Sequence, residues 1–411
     1  MIHHVARGLV CALLERIESG QLTLVENGIR RVFGSGSPQA TVVIRDPRAF
    51  IALRRGGKGL AESYVDGWWD SPDVTAVIEV AARNLDGIDA FRRRITPVRE
   101  PYQRAKTFLR RNTPVRSRED IAAHYDLGND LFELMLDETM MYSSAIFERR
   151  DMTLADASRA KLERICEKLD LQPSDHVLEI GTGWGGFALH AAQTRGCRVT
   201  TTTLSREQRD LALERVREAG MEDRVTVLLD DYRELEGTYD KLVSIEMIEA
   251  VGWKDFGTFF DRCAGLLRPD GVMGLQAITI DDRLYEVEKA QRSFMNSLIF
   301  PNGCLPSVEV IARSVARKSD LRMVDLEDIT PHYAETLRRW RANVEAHTAR
   351  LADMGYDDRF QRLWRLYLSF CEAGFTERRI GSVQIVLAKP RWRGRLDTAE
   401  ALTAPSMVAS L

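Results

Sequence analysis

The chain has 411 residues, 44% of them hydrophobic and 29% charged, a globular composition long enough for one large domain or two ordinary ones. No run approaches the roughly 18 apolar residues of a bilayer-spanning helix. The net charge is only −3, but it is unevenly spread.

Residues 1 to 91 read as a smaller unit. The start, MIHHVARGLVCALLERIESG, has one short apolar patch broken by Arg16 and Glu18 and no small-residue cleavage site, so it is not read as a signal peptide. QLTLVENGIRRVFG and ATVVIRD predict short strands, with turns at Asn27-Gly28 and between Gly34 and Pro38. AFIALRRGGKGLAESYVDGWWD and DVTAVIEVAARNL predict helical or mixed segments, none with a catalytic pattern. Residues 92 to 118 then carry ten basic residues, Arg92, Arg93 and Arg94 among them, against Glu100 alone. That local charge of +9 leaves −12 for the rest of the chain. Pro97, Pro101 and Pro114 punctuate the run, which reads as a basic linker. It is either a solvated charge run or a contact for an anionic surface, lipid headgroups or nucleic acid.

Beyond the linker the pattern alternates. TLADASRAKLERICEKLDL predicts an amphipathic helix, HVLEIGTG a strand and turn, and WGGFALHAAQTRG a helix. RVTTTTLS, RVTVLLD, KLVSIEM and VMGLQAITI predict strands, with REQRDLALERVREAG and FGTFFDRCAGLLRPDG as helices, the latter ending at Gly271. Such alternation means a mostly parallel sheet covered by helices, with ligands at the carboxyl ends of its strands. The six cysteines are scattered without a CxxC pair, which argues for reduced thiols in the cytosol and against a zinc site. The seven histidines have no metal-ligand spacing.

The stretch VLEIGTGWGGFA (177–188) joins a strand to a helix through Gly181, Gly183, Gly185 and Gly186. Glycines there let the backbone turn tightly and let a ligand come close. The pattern is GxGxGG rather than the dinucleotide GxGxxG. The acidic Glu179 precedes the glycines, and VTTTTLS ends without the carboxylate that would hold the ribose of a nicotinamide cofactor. Both details favour S-adenosylmethionine.

Longer segments carry a specific resemblance. HYDLGNDLFELMLDETMMYSSAIF (124–147), VLEIGTGWGG (177–186), TLSREQ (203–208), DDYREL (230–235), EMIEAVG (246–252), IFPNGCLPS (299–307) and YLSFCEAGF (367–375) follow in order over the whole second part. IFPNGCLPS has no generic methyltransferase role and is the sharpest marker. On these segments, residues 119 to 390 resemble the cyclopropane-fatty-acid synthase family of S-adenosylmethionine-dependent methyltransferases. Residues 1 to 91 resemble the smaller N-terminal domain of the family's bacterial membrane-lipid members. The resemblance implies an α/β fold: a Rossmann-like class I methyltransferase domain with a smaller N-terminal α/β domain, a tail filling 391 to 411.

The resemblance also implies a cofactor pocket. Tyr142 and Ser143 would close over it, Glu179, Gly181, Gly183, Trp184 and Gly185 would line the first turn, Thr203 and Gln208 the second, and Tyr232 would flank the adenine. Trp184 could instead cap its helix against the sheet. The family's chemistry methylates a cis double bond and then removes a proton with a bound bicarbonate. By resemblance, the bicarbonate cradle would be Glu249, Gln276, the backbone around Ser144 and Ile278, and Tyr333. Glu249 would share a proton with the anion, since two anions in one dry pocket repel. The plainer alternatives are a helix N-terminal carboxylate for Glu249 and an amphipathic core tyrosine for Tyr333.

Two departures bear on the product. Many bacterial members have YSC where this chain has YSS, and His where it has Gln276. Plant-type members share the YSS and LQ forms, and a branch making methyl- or methylene-branched chains lies near this pattern. Cys371 matches a cysteine long treated as the family's active-site thiol. With no basic neighbour evident, it reads as pocket-lining or as a buried core cysteine. The expectation is a cytosolic enzyme, peripheral at the inner face of the membrane, acting on phospholipid acyl chains at an anionic membrane surface, with a homodimer left open. Cyclopropane is the expected main product and a branched chain the runner-up. A nucleic-acid partner is disfavoured by the thin aromatic interleaving of the linker. A non-catalytic lipid binder is disfavoured by the intact glycines and Glu249.

Overall fold

The computed structural model describes residues 2–52, 56–85, 128–289, 294–300 and 303–394. The basic run 92–118 and most of the 391–411 tail lie outside them.

The N-terminal unit carries helix α1 (Ile2–Leu14) and strands β1 (Gly20–Glu26), β2 (Ile29–Ser35), β3 (Gln39–Ile44) and β4 (Trp69–Asp70), in the sheet order β2-β1-β3-β4. Arg7 on α1 pairs with Glu26 of β1 at 2.7 Å. Asn27 and Gly28 both have positive φ (50° and 80°), the geometry that a two-residue hairpin matched to strand twist requires. Helices α2 (Gly56–Val65) and α3 (Val74–Arg83) complete the unit. Asp73 caps α3 by accepting the Ala76 N–H at 3.0 Å.

The larger unit opens with α4 (Asn129–Met135) and α5 (Leu154–Lys168). Then come β5 (His176–Ile180), α6 (Gly186–Arg195), β6 (Arg198–Thr202), α7 (Arg206–Glu218), β7 (Val225–Leu228), β8 (Tyr239–Ile245), α8 (Phe256–Leu266) and β9 (Leu267–Ile280). The chain ends with α9 (Val308–Lys318), β10 (Arg322–Asp328), α10 (Thr330–Ala346), α11 (Asp358–Thr376) and β11 (Ile380–Ala388). The sheet runs β10-β11-β9-β8-β5-β6-β7. Strands β5 to β9 are mutually parallel, and β11 and β10 are antiparallel additions at one edge. Chain order reverses between β5 and β8, so a crevice opens at their carboxyl ends.

Helix α8 stops at Leu266, short of the expected Gly271, and Leu267 is already extended (φ −91°, ψ 144°). Pro269 cannot sit inside a helix, because it lacks the N–H and its ring clashes with the preceding turn.

The two units share one core. Tyr64, Trp69, Val74 and Val77 from the first belong to the same buried cluster as Phe132, Trp340, Trp364 and Leu368 from the second. Helix α11 is the joint. Its Arg362 stacks over Tyr64 at 4.2 Å and donates to the carbonyls of Tyr64 and Trp69, and Arg83 of α3 reaches Glu377 at 2.8 Å.

Candidate active site

The carboxyl ends of β5, β6 and β8 collect the polar groups singled out in the sequence. After Ile180 the backbone enters the glycine turn, with Gly181, Gly183 and Gly185 all in the left-handed region (φ 105°, 52° and 83°). A Cβ at Gly183 would meet no atom within 4 Å, so the turn leaves room for a ligand there. Gly185 serves packing instead: its Cα faces Ala212 of α7, where a Cβ would lie 3.3 Å from the Ala212 methyl. Trp184 is also engaged in packing. It is 1% exposed, its indole N–H donates to Asn129 Oδ1 at 2.8 Å, and its ring packs on Phe132. The geometry favours the packing alternative for this tryptophan, because its polar edge is satisfied by α4.

Glu179 is buried beneath the turn and accepts from Thr201 Oγ1 at 2.6 Å. Burial pushes its pKa up to about 8. Thr203 donates to Gln208 Oε1 at 2.8 Å, and Ser205 caps α7 through the Gln208 N–H. Tyr232 packs edge-on against Phe259, and its hydroxyl is buried with no hydrogen-bond partner among the described residues.

The expected anion cradle is assembled, but around a residue that the sequence reading passed over. Glu246 follows β8 directly. Its Oε1 accepts the Ser144 N–H at 3.0 Å and the Gln276 amide at 2.8 Å, and its Oε2 accepts the Tyr333 hydroxyl at 2.6 Å. Glu249 is a neighbour of this centre rather than its focus. Its Oε1 accepts the Ile278 N–H at 2.5 Å, and its Oε2 is buried without a partner among the described residues. Burial, helped by the adjacent Glu246 carboxylate, raises the Glu249 pKa to about 8. Burial also raises that of Glu246, against the three hydrogen bonds, which favour its charged form. Bicarbonate does not fit this arrangement: the donors expected to hold it already bind a carboxylate of the chain.

Supporting groups hold the centre in position. Gln276 and Gln384 are cross-strand partners in β9 and β11. The Gln384 amide donates to Gln276 Oε1 at 3.0 Å, which turns the Gln276 N–H toward Glu246. Lys161 of α5 is fully buried and donates to Ser143 Oγ at 2.7 Å. Burial lowers its pKa to about 8, opposed by Glu246, Asp137 and Glu179. Helices α10 and α11 supply an aromatic wall. Tyr333 stacks on Phe375 (4.3 Å between centroids) and meets Trp340 edge-on, while Tyr142 and Tyr367 share a 2.7 Å hydroxyl contact. The Cys371 thiol has its pKa pushed up to about 12 by burial, so it carries no thiolate near neutral pH.

Glu246, Lys161 and Gln384 were missed. One signal was available for the first: a glutamate directly after the hydrophobic strand KLVSI stands where parallel sheets bind their ligands. Lys161 lies in an ordinary amphipathic pattern and gave none.

This sheet order, with a glycine turn after its first strand and an acidic crevice beside it, is the architecture of the S-adenosylmethionine-dependent methyltransferases. Within that class the chain belongs to the mycolic acid cyclopropane synthetase family, whose model matches residues 112–385. It is 38% identical over 397 residues to the tuberculostearic acid methyltransferase of Mycobacterium tuberculosis, covering 90% of each chain. It is 36% identical over 358 residues to the cyclopropane-fatty-acyl-phospholipid synthase of Escherichia coli, covering 86% of this chain and 89% of that one. Among solved structures, the mycolic acid cyclopropane synthase CmaA1 complexed with SAH and CTAB aligns with a TM-score of 0.62 at 30% identity, over 66% of this chain and 98% of the other. No helix of the described residues is long and apolar enough to cross a membrane.

Proposed function

We propose that the enzyme transfers a one-carbon unit from S-adenosylmethionine to an isolated cis double bond of a phospholipid acyl chain and closes it to a cyclopropane ring. The observation that carries this reading is the buried Glu246–Glu249 pair, joined through Tyr333 to the rings of Phe375 and Trp340. Such a site suits a reaction that develops positive charge on carbon and then loses a proton.

S-adenosylmethionine fits the residues present. The open space at Gly183, the partnerless Tyr232 hydroxyl and the Glu179 carboxylate are groups that an adenosyl ligand would satisfy. Gly181, Gly183, Glu179, Thr203, Gln208 and Tyr232 would hold it, under Tyr142 and Ser143. When bound, it supplies an electrophilic methyl group. The chain's own residues do the rest. The aromatic wall and the Glu246 carboxylate lower the energy of the cationic acyl carbon, and the closed core of α10 and α11 keeps out water that would trap it.

The kinship with a tuberculostearic acid methyltransferase favours a second reading, a methylene branch. It is an isomer of the ring, reached when the cation shifts a hydride before the proton leaves. A saturated methyl branch needs a reductant as well. The test is incubation with a deuterated methyl donor and vesicles of cis-unsaturated phosphatidylglycerol, followed by mass spectrometry and proton NMR of the lipid. A saturated ring lacking one deuterium per transferred methyl is expected. Vinylidene protons as the main signal in a parallel run with the unlabelled donor establish the second reading, and no label in lipid from the deuterated donor overturns both.

A further inference from the structure

We propose that Glu246 is the base of the reaction, built into the chain at the position where a free bicarbonate would otherwise bind. The proposal rests on the function given above and identifies the group that takes the proton. Three independent elements aim their donors at this one carboxylate: the Ser144 backbone from the loop before α5, the Gln276 amide from β9 and the Tyr333 hydroxyl from α10. These are donors suited to a planar three-atom anion, and the Glu246 carboxylate supplies that shape without a diffusing ion.

The backbone supports the same conclusion. Glu246 has φ 50°, a left-handed conformation that residues other than glycine adopt at a cost. Its own N–H donates to the Gln276 carbonyl at 2.8 Å, so this geometry is locked to the strand that carries one of its side-chain donors. The two oxygens are unequal. Oε1 accepts two hydrogen bonds and Oε2 accepts one, so Oε2 keeps a lone pair for an incoming proton. Glu249 is less suited, since its partnerless Oε2 and its proximity to Glu246 favour the neutral acid.

The step balances without a further reactant. The double-bond electrons form the bond to the methyl carbon, and the electrons of the broken C–S bond remain on sulfur. A C–H bond of the transferred carbon then breaks. Its electron pair closes the ring onto the cationic carbon, and the proton goes to Glu246 Oε2. Release of that proton to solvent resets the carboxylate.

The experiment uses the full-length enzyme in buffer stripped of carbon dioxide, with and without sodium bicarbonate, beside the variants Glu246→Gln and Glu246→Gly. The parent is expected to turn over equally in both buffers. Glu246→Gln should lose on the order of 10²- to 10⁴-fold in rate, the usual worth of a positioned base. Glu246→Gly suits the left-handed backbone, so its melting temperature should stay near the parent's, and it should regain rate with added bicarbonate or formate. Calorimetry gives a readout apart from turnover: bicarbonate should bind Glu246→Gly and not the parent. Stimulation of the parent by bicarbonate, heat of bicarbonate binding to the parent, or a fully active Glu246→Gln overturns the proposal. If the parent methylates no lipid at all, the function above fails, and the calorimetry still decides whether the cradle is filled.

Discussion

Three buried ionisable residues, Glu179, Glu249 and Lys161, give the ligand-free protein a particular pH response. Both glutamates are held protonated in the folded state up to about pH 8, whereas their ordinary value is 4.5. Between those values the folded chain binds more protons than the unfolded one. Their stabilising effect is complete below the ordinary value and is lost as pH rises through about 8. Lys161 acts in the opposite sense above about 8, where the unfolded chain still keeps a proton that the folded chain has released. Thermal melts should therefore show Glu249→Gln gaining on the parent from about pH 5 to about pH 8. A constant gap between the two across that window would rule this out.

At the scale of elements, α1 stands out. Val5, Leu9 and Leu13 are 62%, 65% and 57% exposed, an i, i+4, i+8 stripe along one face of the helix. The exposed Arg31 on β2 reaches Cys11, on the other face of α1. An exposed apolar stripe suits a bilayer surface, which is where the proposed substrate resides. Leu9→Asp with Leu13→Asp should weaken binding to phosphatidylglycerol vesicles by at least about tenfold, since burying one leucine is worth about 1.5–3 kcal/mol. Unchanged vesicle binding would exclude α1 as the contact.

The elements also indicate what was legible in the sequence. The Asn27-Gly28 hairpin, the strand HVLEI and the glycine turn were readable because each is specified by neighbours in the chain. The end of α8 was misjudged by overlooking the penalty that Pro269 imposes. The roles of Glu246 and Glu249 could not be separated from EMIEAVG alone. What distinguishes them is the convergence of donors from residues 144, 276 and 333, which are distant in sequence and meet only in the folded chain. Trp184 was ambiguous for the same reason, since its partner Asn129 lies more than fifty residues away.

Across the whole molecule, the N-terminal unit is not a detachable appendage. Solved relatives such as CmaA1 align over 66% of this chain, so much of it lies outside that match. Here α11 is packed between α10 and helices α2 and α3, and Thr75 reaches Glu372 across that joint. Deleting residues 1–85 would expose several large side chains of α11. At about 1.5–3 kcal/mol each, their re-exposure rivals the total stability of a typical domain, about 5–15 kcal/mol. The truncated chain should lose its cooperative melt. A sharp transition at the parent's temperature would show that the larger unit stands alone.

The hydrogen-bonded seat of Glu246 also has a bearing on where such an enzyme can work. Hydrated carbon dioxide varies with respiration, aeration and acidity, and an enzyme that borrows its base from that pool inherits the variation. A carboxylate fixed to its own backbone is present in every molecule at an effective concentration that no solution reaches. Ring formation would then proceed at the same pace in gas-stripped surroundings, where dissolved bicarbonate is scarce, and the cell would have to regulate it by another means.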